Sequence, residues 1–276
     1  MAIVTERGKL IFRKTERDLQ RLAAEQNPET IHSFRTTTRR LQTLLAQLVP
    51  SQDRNQKKLL KMLNRIRRSA GKVRDIDVQL SALRSLKTPL EPRRKTQLVQ
   101  GLLELRAKHE LKLGKLIKKS DLREVSKRLK RAARNVDFKG CRDPLTLAQE
   151  LLGSVSVSAN AVDEGTLHRY RIAVKRARYA AEFAPASRES KQFIALLKRL
   201  QDALGNWHDW FTLTRTAQDR LGEVTQSSLV ATLHNVTRGK FRHAVAMVSA
   251  AQKTGTTTTG KSTPKTPAAA SRPVAA

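Results

Sequence analysis

The sequence predicts an all-α fold: two four-helix bundles related by a pseudo-two-fold axis, built by internal duplication, with long basic helices and a disordered C-terminal tail. Three observations predict it. Gly and Pro are sparse through the first 250 residues, which disfavours a turn-rich β architecture. Apolar residues, mostly Leu, Ala, Val and Ile, recur at the three- and four-residue spacing of amphipathic helices. Finally, motifs of the first half return in the same order in the second.

Each helix has its own signals. "KLIFRKTERDLQRLAAEQ" forms the first and stops at the Asn27-Pro28 turn. The second carries "IHSFRTTTRRLQTLLAQL" and ends at Pro50. A third, "QKKLLKMLNRIRRSA", is expected to stop at Gly71, a residue suited to a left-handed C-cap. A fourth runs from "VRDIDVQLSALRSL" to the Thr88-Pro89 break. The long basic "RKTQLVQGLLELRAKHELKLGKLIKK" follows, then a short helix from Asp121 to about Arg134. The irregular "NVDFKGCRDP" separates an N-terminal half, residues 1–135, from a C-terminal half, 143–250. The second half reads as "LTLAQELLGSVSVSANAV", "LHRYRIAVKRARYAAEFA", "SKQFIALLKRLQDAL", "WHDWFTLTRTAQDRL" and "QSSLVATLHNVTRGKFRHAVAMVSAA". Residues 251–276, rich in Thr, Ala, Pro and Lys, lack the apolar content to bury a core and read as a disordered tail.

Charge narrows the function. Lys and Arg number 55 against 24 acidic residues, a net charge of +31. So large an excess repels itself in a compact state and calls for a polyanionic partner. Nucleic acid, an anionic membrane and an inorganic polyanion are the candidates. Cys141 is the single cysteine, which excludes an intramolecular disulfide framework and fits a reducing, cytoplasmic setting. The N-terminus lacks a signal-peptide core, and no apolar run approaches spanning length, so no membrane association is expected.

Superposing His32 on His168 aligns Arg35 with Arg171, Arg39 with Lys175, Arg40 with Arg176 and Phe34 with Tyr170, at an offset of 136. "LNRIRRSAGKVRDID" and "LKRLQDALGNWHDWF" align at an offset of 134, matching Gly71 with Gly205, Asp75 with Asp209, Arg74 with His208 and Arg65 with Arg199. At about 100° per residue with His32 at zero, Arg35 falls near 300° and Arg39 near 340°, while Arg40 flanks at about 80°. Ile31, Phe34, Thr38, Leu41, Leu45 and Leu48 lie opposite. In the second copy His168, Arg171, Lys175 and Arg178 share the cationic arc, with Arg176 beside it and Tyr170, Val174, Ala177 and Ala181 beneath. Like charges three or four apart on a helix cost about 0.2–0.5 kcal/mol per pair, so the stripe asks for an anion. Guanidinium forks and a lysine point charge suit phosphate. The two histidines, near their helix N-termini, add pH-sensitive donors whose proton affinity rises beside phosphate. Asp75 and Asp209 either orient a neighbouring cation or, more simply, act as helix N-caps.

These four motifs in this order resemble the CHAD domain, the conserved histidine α-helical domain family, over nearly the whole chain outside the tail. The resemblance implies an all-helical fold of two pseudo-symmetric four-helix bundles. It also implies binding of inorganic polyphosphate through basic residues lining a surface groove or central channel, with recruitment to polyphosphate granules. By position, His32, Arg35, Arg39, Arg40, His168, Arg171, Lys175, Arg176 and Arg178 carry over as ligand contacts. Arg65, Arg74, Tyr179, Arg199 and His208 form a second tier. The first copy departs from the family pattern at Thr36, Thr37, Thr38 and Gln42 and is expected to grip less strongly. No Glu-x-Glu-x-Lys signature accompanies the chain, so the triphosphatase activity of fused relatives is not implied.

The rivals are weaker. Aromatic residues are only 4%, too few for a base-stacking platform, and no zinc finger or RNP signature appears. Non-specific DNA or RNA binding is therefore expected only weakly, at low salt, through counterion release. A metal-dependent phosphohydrolase would need ligand spacing that the six scattered histidines do not supply. The expectation is a non-catalytic polyphosphate binder that would take sulfate or phosphate in a crystal, with no cofactor and no metal. No pattern in the sequence specifies an oligomeric state.

Overall fold

Helix α1 spans Ala2–Ala24, and Asn27 then caps α2, Pro28–Thr43, accepting hydrogen bonds from the Glu29 and Thr30 amides. Pro28 sits at the first turn of α2, where its missing N–H costs nothing. The last turn widens into a π-helical stretch, Leu44–Leu48, before Pro50 ends the run. A reciprocal capping box, Asp53 with Gln56, starts α3, Arg54–Ser85. Helices α4, Pro92–Leu116, and α5, Lys119–Asn135, complete the first half. The second half comprises α6, Pro144–Gly153; α7, Glu164–Ala181, capped by Asp163; α8, Arg188–Leu221, begun by a Ser187–Ser190 box; and α9, Ser228–Thr258. The structure is a computed structural model and describes residues 2–87, 92–155, 162–222, 224 and 227–258. Thr88 and Pro89, most of "SVSVSANAV" and residues 259–276 of the expected tail lie outside them.

Two boundaries differ from expectation. The helices expected to part at Gly71 are one helix, α3, and those expected to part after Leu204 are one helix, α8. Gly71 is therefore not a C-cap. A mid-helix glycine costs about 1 kcal/mol relative to Ala, and burial of flanking Ala70, Val73 and Ile76 outweighs that. Asp75 and Asp209, now mid-helix, are not N-caps. Helix α9 also continues through Thr258, eight residues into the segment read as tail.

Within each half, successive helices pack as neighbours: α1 on α2, α2 on α3 and α3 on α4 in the first, α6 on α7, α7 on α8 and α8 on α9 in the second. The first half adds α5, which lies against α1 and α3. Across the halves, α2 packs on α7, and α3 and α4 pack on α8. The apolar core divides in an unexpected direction. One cluster unites Leu19, Phe34, Leu41, Leu63 and Leu129 with Leu167, Val174, Leu200 and Trp207; the other unites Leu80, Leu83, Leu98 and Leu102 with Leu213, Leu229 and Leu233. Each draws on both halves. The segments 74–75 of α3 and 208–209 of α8 pass between the two clusters, and polar chemistry collects there.

Candidate functional site

Helix α2 and the π-helical stretch that continues it are anchored by Ile31, Phe34, Thr38, Leu41, Leu45 and Leu48, all fully buried. Helix α7 is anchored by Tyr170, Val174, Ala177 and Ala181. Each large apolar side chain contributes about 1.5–3 kcal/mol by burial, several times the like-charge cost of a stripe pair. The apolar faces thus dictate which way the helices turn, and the cations must follow. His32, Arg35 and Arg39 stand on the free side of α2; His168, Arg171 and Lys175 stand on that of α7.

Because α2 packs on α7, the two stripes converge. Lys175 is pushed down to about 7, first by burial, then by the charges of Arg171 and Arg39, with Arg35 adding to them. Arg171 is lowered first by burial, against Asp209 and Asp75, with Arg39 and Arg35 of the other half adding to the fall. His32 is lowered by burial and then by Arg74, Arg35 and Lys175, which brings Arg74 of α3 into the group. Tyr179, buried in α7, lies within reach of Arg35, Arg40 and Arg67.

Gly71 is explained here. A Cβ at that position would collide with the Arg35 Nη1, so the bare helix surface is the bed on which the guanidinium lies. Its Nη2 then reaches Asp75 Oδ1, one turn further along α3, at 3.6 Å. On the opposite side, the rings of His168 and His208 meet at 5.0 Å between centroids. Burial, then Arg171, His168 and Lys175, push His208 down to about 3, so it stays a neutral imidazole. Burial raises the Asp209 carboxyl, although Arg171 and Lys175 oppose the rise. Arg171 Nε and His208 Nδ1 are buried without a hydrogen-bond partner. Cations clearly outnumber the two carboxylates, and the surplus is uncompensated.

The remaining expected contacts are placed differently. Arg40 Nε donates to Glu182 Oε2 at 2.6 Å and Arg178 Nε to Glu182 Oε1 at 3.0 Å, so one carboxylate ties α2 to the end of α7. Arg7 Nη1 donates to the Glu182 carbonyl at 2.8 Å and also to that of Ala184. Burial disfavours the Glu182 carboxylate, but the Arg40 hydrogen bond and both arginine charges outweigh it and hold its pKa below the ordinary value. Arg176 is exposed on α7. Arg65 turns about 120° away from Gly71 around α3 and lines a small cavity with Lys115 and Asp121, while Arg199 is exposed on α8. The backbone N–H groups that the N-terminal histidines were expected to share with an anion are partly taken by the caps Asn27 and Asp163.

Sequence reasoning missed Arg67. Burial, then Arg39 and Arg35, lower it to about 10, and it donates to Asn64 Oδ1. The signal was present as Arg67-Gly71-Arg74, spaced four and three along one helix face, but a helix broken at Gly71 hides that stripe. Glu182 was missed because its role depends on a partner 142 residues away.

The model of the CHAD domain family matches residues 9–218 of the chain. No curated protein matches it. Among solved structures, the CHAD domain from the plant Ricinus communis superposes with a TM-score of 0.59 at 18% identity, covering 86% of each chain. PptA from Streptomyces chartreusis superposes with a TM-score of 0.69 at 14% identity, covering 91% of this chain and 98% of that one. Both likenesses are of fold.

Proposed function

Since this chain belongs to the CHAD domain family, we propose that it binds inorganic polyphosphate, without catalysis, in the groove where α2 and α7 meet. One observation carries the reading: Arg35 and Arg39 of one half and Arg171 and Lys175 of the other lie within each other's electrostatic reach, with few carboxylates to offset them. A uniform, flexible chain of phosphates needs no sequence readout. It needs closely spaced cations held in place, and the two packed helices hold them. An entering phosphate gives Arg171 and the neighbouring guanidiniums acceptors and removes the repulsion that lowers Lys175. Recruitment to polyphosphate granules in the cytoplasm follows from many such contacts along one polymer.

Among the described residues no helix is long and apolar enough to cross a membrane, and no group of three or more His, Cys, Asp or Glu side chains gathers as a metal-ligand set. The test is a titration with long-chain polyphosphate at near-physiological salt with duplex DNA as competitor. Polyphosphate is expected to displace DNA, and DNA to displace polyphosphate poorly. The reverse order would assign the cations to nucleic acid instead. Sustained phosphate release from polyphosphate with Mg²⁺, Mn²⁺ or Zn²⁺ would overturn the non-catalytic reading.

A further inference from the structure

A second concavity, about 370 Å³, opens between α8 and α9. It shares no residue with the groove. Its wall is aromatic: Trp207 lies 5.6 Å from Phe211 and 5.9 Å from Phe241, measured between ring centroids. Two exposed guanidiniums, Arg215 and Arg238, line it as well, together with the His234 imidazole and one carboxylate, Glu164 at the first turn of α7, which the two arginines outnumber. The Arg215 Cζ sits 5.8 Å from the centre of the Phe211 ring, a cation–π placement that holds the charge beside the aromatic wall. The hydroxyls of Thr214 and Thr237, 2.7 Å apart, satisfy one another and the Leu233 carbonyl. They make no further polar demand on the cavity, where the buried Trp207 Nε1 is the donor left without a hydrogen-bond partner.

Size and lining together select a ligand. The volume falls within the range of small-molecule sites, which bury an apolar body and fix it with a few polar groups. Inorganic polyphosphate offers no apolar surface to cover the partly exposed Phe211 and Phe241 rings, and an uncharged aromatic would leave two guanidiniums unused. We propose that this cavity is a binding site for a small planar aromatic anion of mononucleotide size, its ring against the partly exposed Phe211 and Phe241 above the buried Trp207 and its phosphate or carboxylate on Arg215 and Arg238. The site is independent of the polyphosphate reading, because none of its residues belongs to the α2–α7 groove.

The test uses the full chain carrying Trp210→Phe, which leaves Trp207 as its one indole. Adenosine monophosphate is titrated at near-physiological salt with Trp207 emission as the readout, against adenosine and orthophosphate separately. Saturable quenching by the monophosphate is expected, with each half-ligand weaker by about tenfold or more, as removal of one charge-assisted hydrogen bond implies. Adding Arg215→Ala and Arg238→Ala should abolish that preference for the monophosphate over adenosine. Polyphosphate affinity should stay within about twofold, since substitutions remote from a site leave its binding energy unchanged. Arg35→Ala with Arg171→Ala should do the opposite. Two results would overturn the proposal: no saturable response to adenosine, guanosine or cytidine monophosphate, or a response that survives the Arg215/Arg238 pair and disappears with the Arg35/Arg171 pair, which would place the phosphate in the groove.

Discussion

Lys175 is the most constrained cation of the groove, and its chemistry is set by neighbours that sequence spacing alone does not reveal. Its folded pKa, about 7, lies below the ordinary 10.5 of the unfolded chain. Between those values the unfolded state binds the extra proton, so stability of the ligand-free protein rises with pH across this window. Below about pH 7 the charged amine is buried among arginines and its full cost is felt. Replacing it with Met should remove this component, and urea melts of wild type and Lys175→Met at pH 7 and pH 9.5 should converge at the higher pH. Bound phosphate restores the proton. Affinity for polyphosphate is therefore expected to fall as pH rises above 7, with proton uptake visible as a dependence of calorimetric heat on buffer ionisation. In Lys175→Arg, which stays charged, that fall should flatten. Arg35 and Arg171 are the anchors on either side. Their joint replacement by Ala should weaken polyphosphate by at least about tenfold. The salt slope should shrink by roughly one for each phosphate no longer neutralised, with circular dichroism unchanged.

At the scale of the helix, α3 owes its functional stripe to a glycine. Gly71→Ala should raise intrinsic helix propensity by about 1 kcal/mol, yet displace the flexible Arg35 head from its bed. Polyphosphate affinity should drop while the thermal midpoint holds or rises; a variant that binds as tightly as wild type would show that Arg35 needs no such bed. Helix α7 depends on Glu182 in a different way. Glu182→Gln leaves Arg40 and Arg178 half-buried without their shared carboxylate, and a loss of about 1–3 kcal/mol in urea unfolding is expected. The wild-type contribution is present above pH 4.5 and disappears as acid protonates Glu182 through its depressed folded pKa, so wild type and variant should converge in strong acid. The amphipathic faces of α2 and α7 were legible residue by residue, since a period of 3.6 needs no knowledge of the partner. The continuity of α3 and α8 was not. A glycine followed by charged residues imitates a helix end until burial on both sides is known.

Over the whole molecule, both apolar clusters draw residues from the two halves. Residues 1–135 and 143–250 produced separately are expected to show low helicity and non-cooperative melting, and to recover a cooperative transition when mixed. Two independently cooperative halves would mean that the mixed clusters are an interface and not a core. The same interleaving gives the groove its strength as a site. Cations drawn from both halves stay in mutual range only because long helices cross-brace them, and self-repulsion is tolerated for as long as the cores hold.

The sequence by itself determined the helical class, the cationic side of α2 and α7, the family and the excess of positive charge, because composition and local periodicity are properties of the unfolded string. Only the tertiary structure decided that Arg35 rests on Gly71, that Glu182 occupies Arg40 and Arg178, that Arg67 joins the groove and that Arg65 and Arg199 face elsewhere. Electrostatic energies depend on distances between residues far apart in the chain and on the water removed around them, and neither quantity exists until the helices have packed.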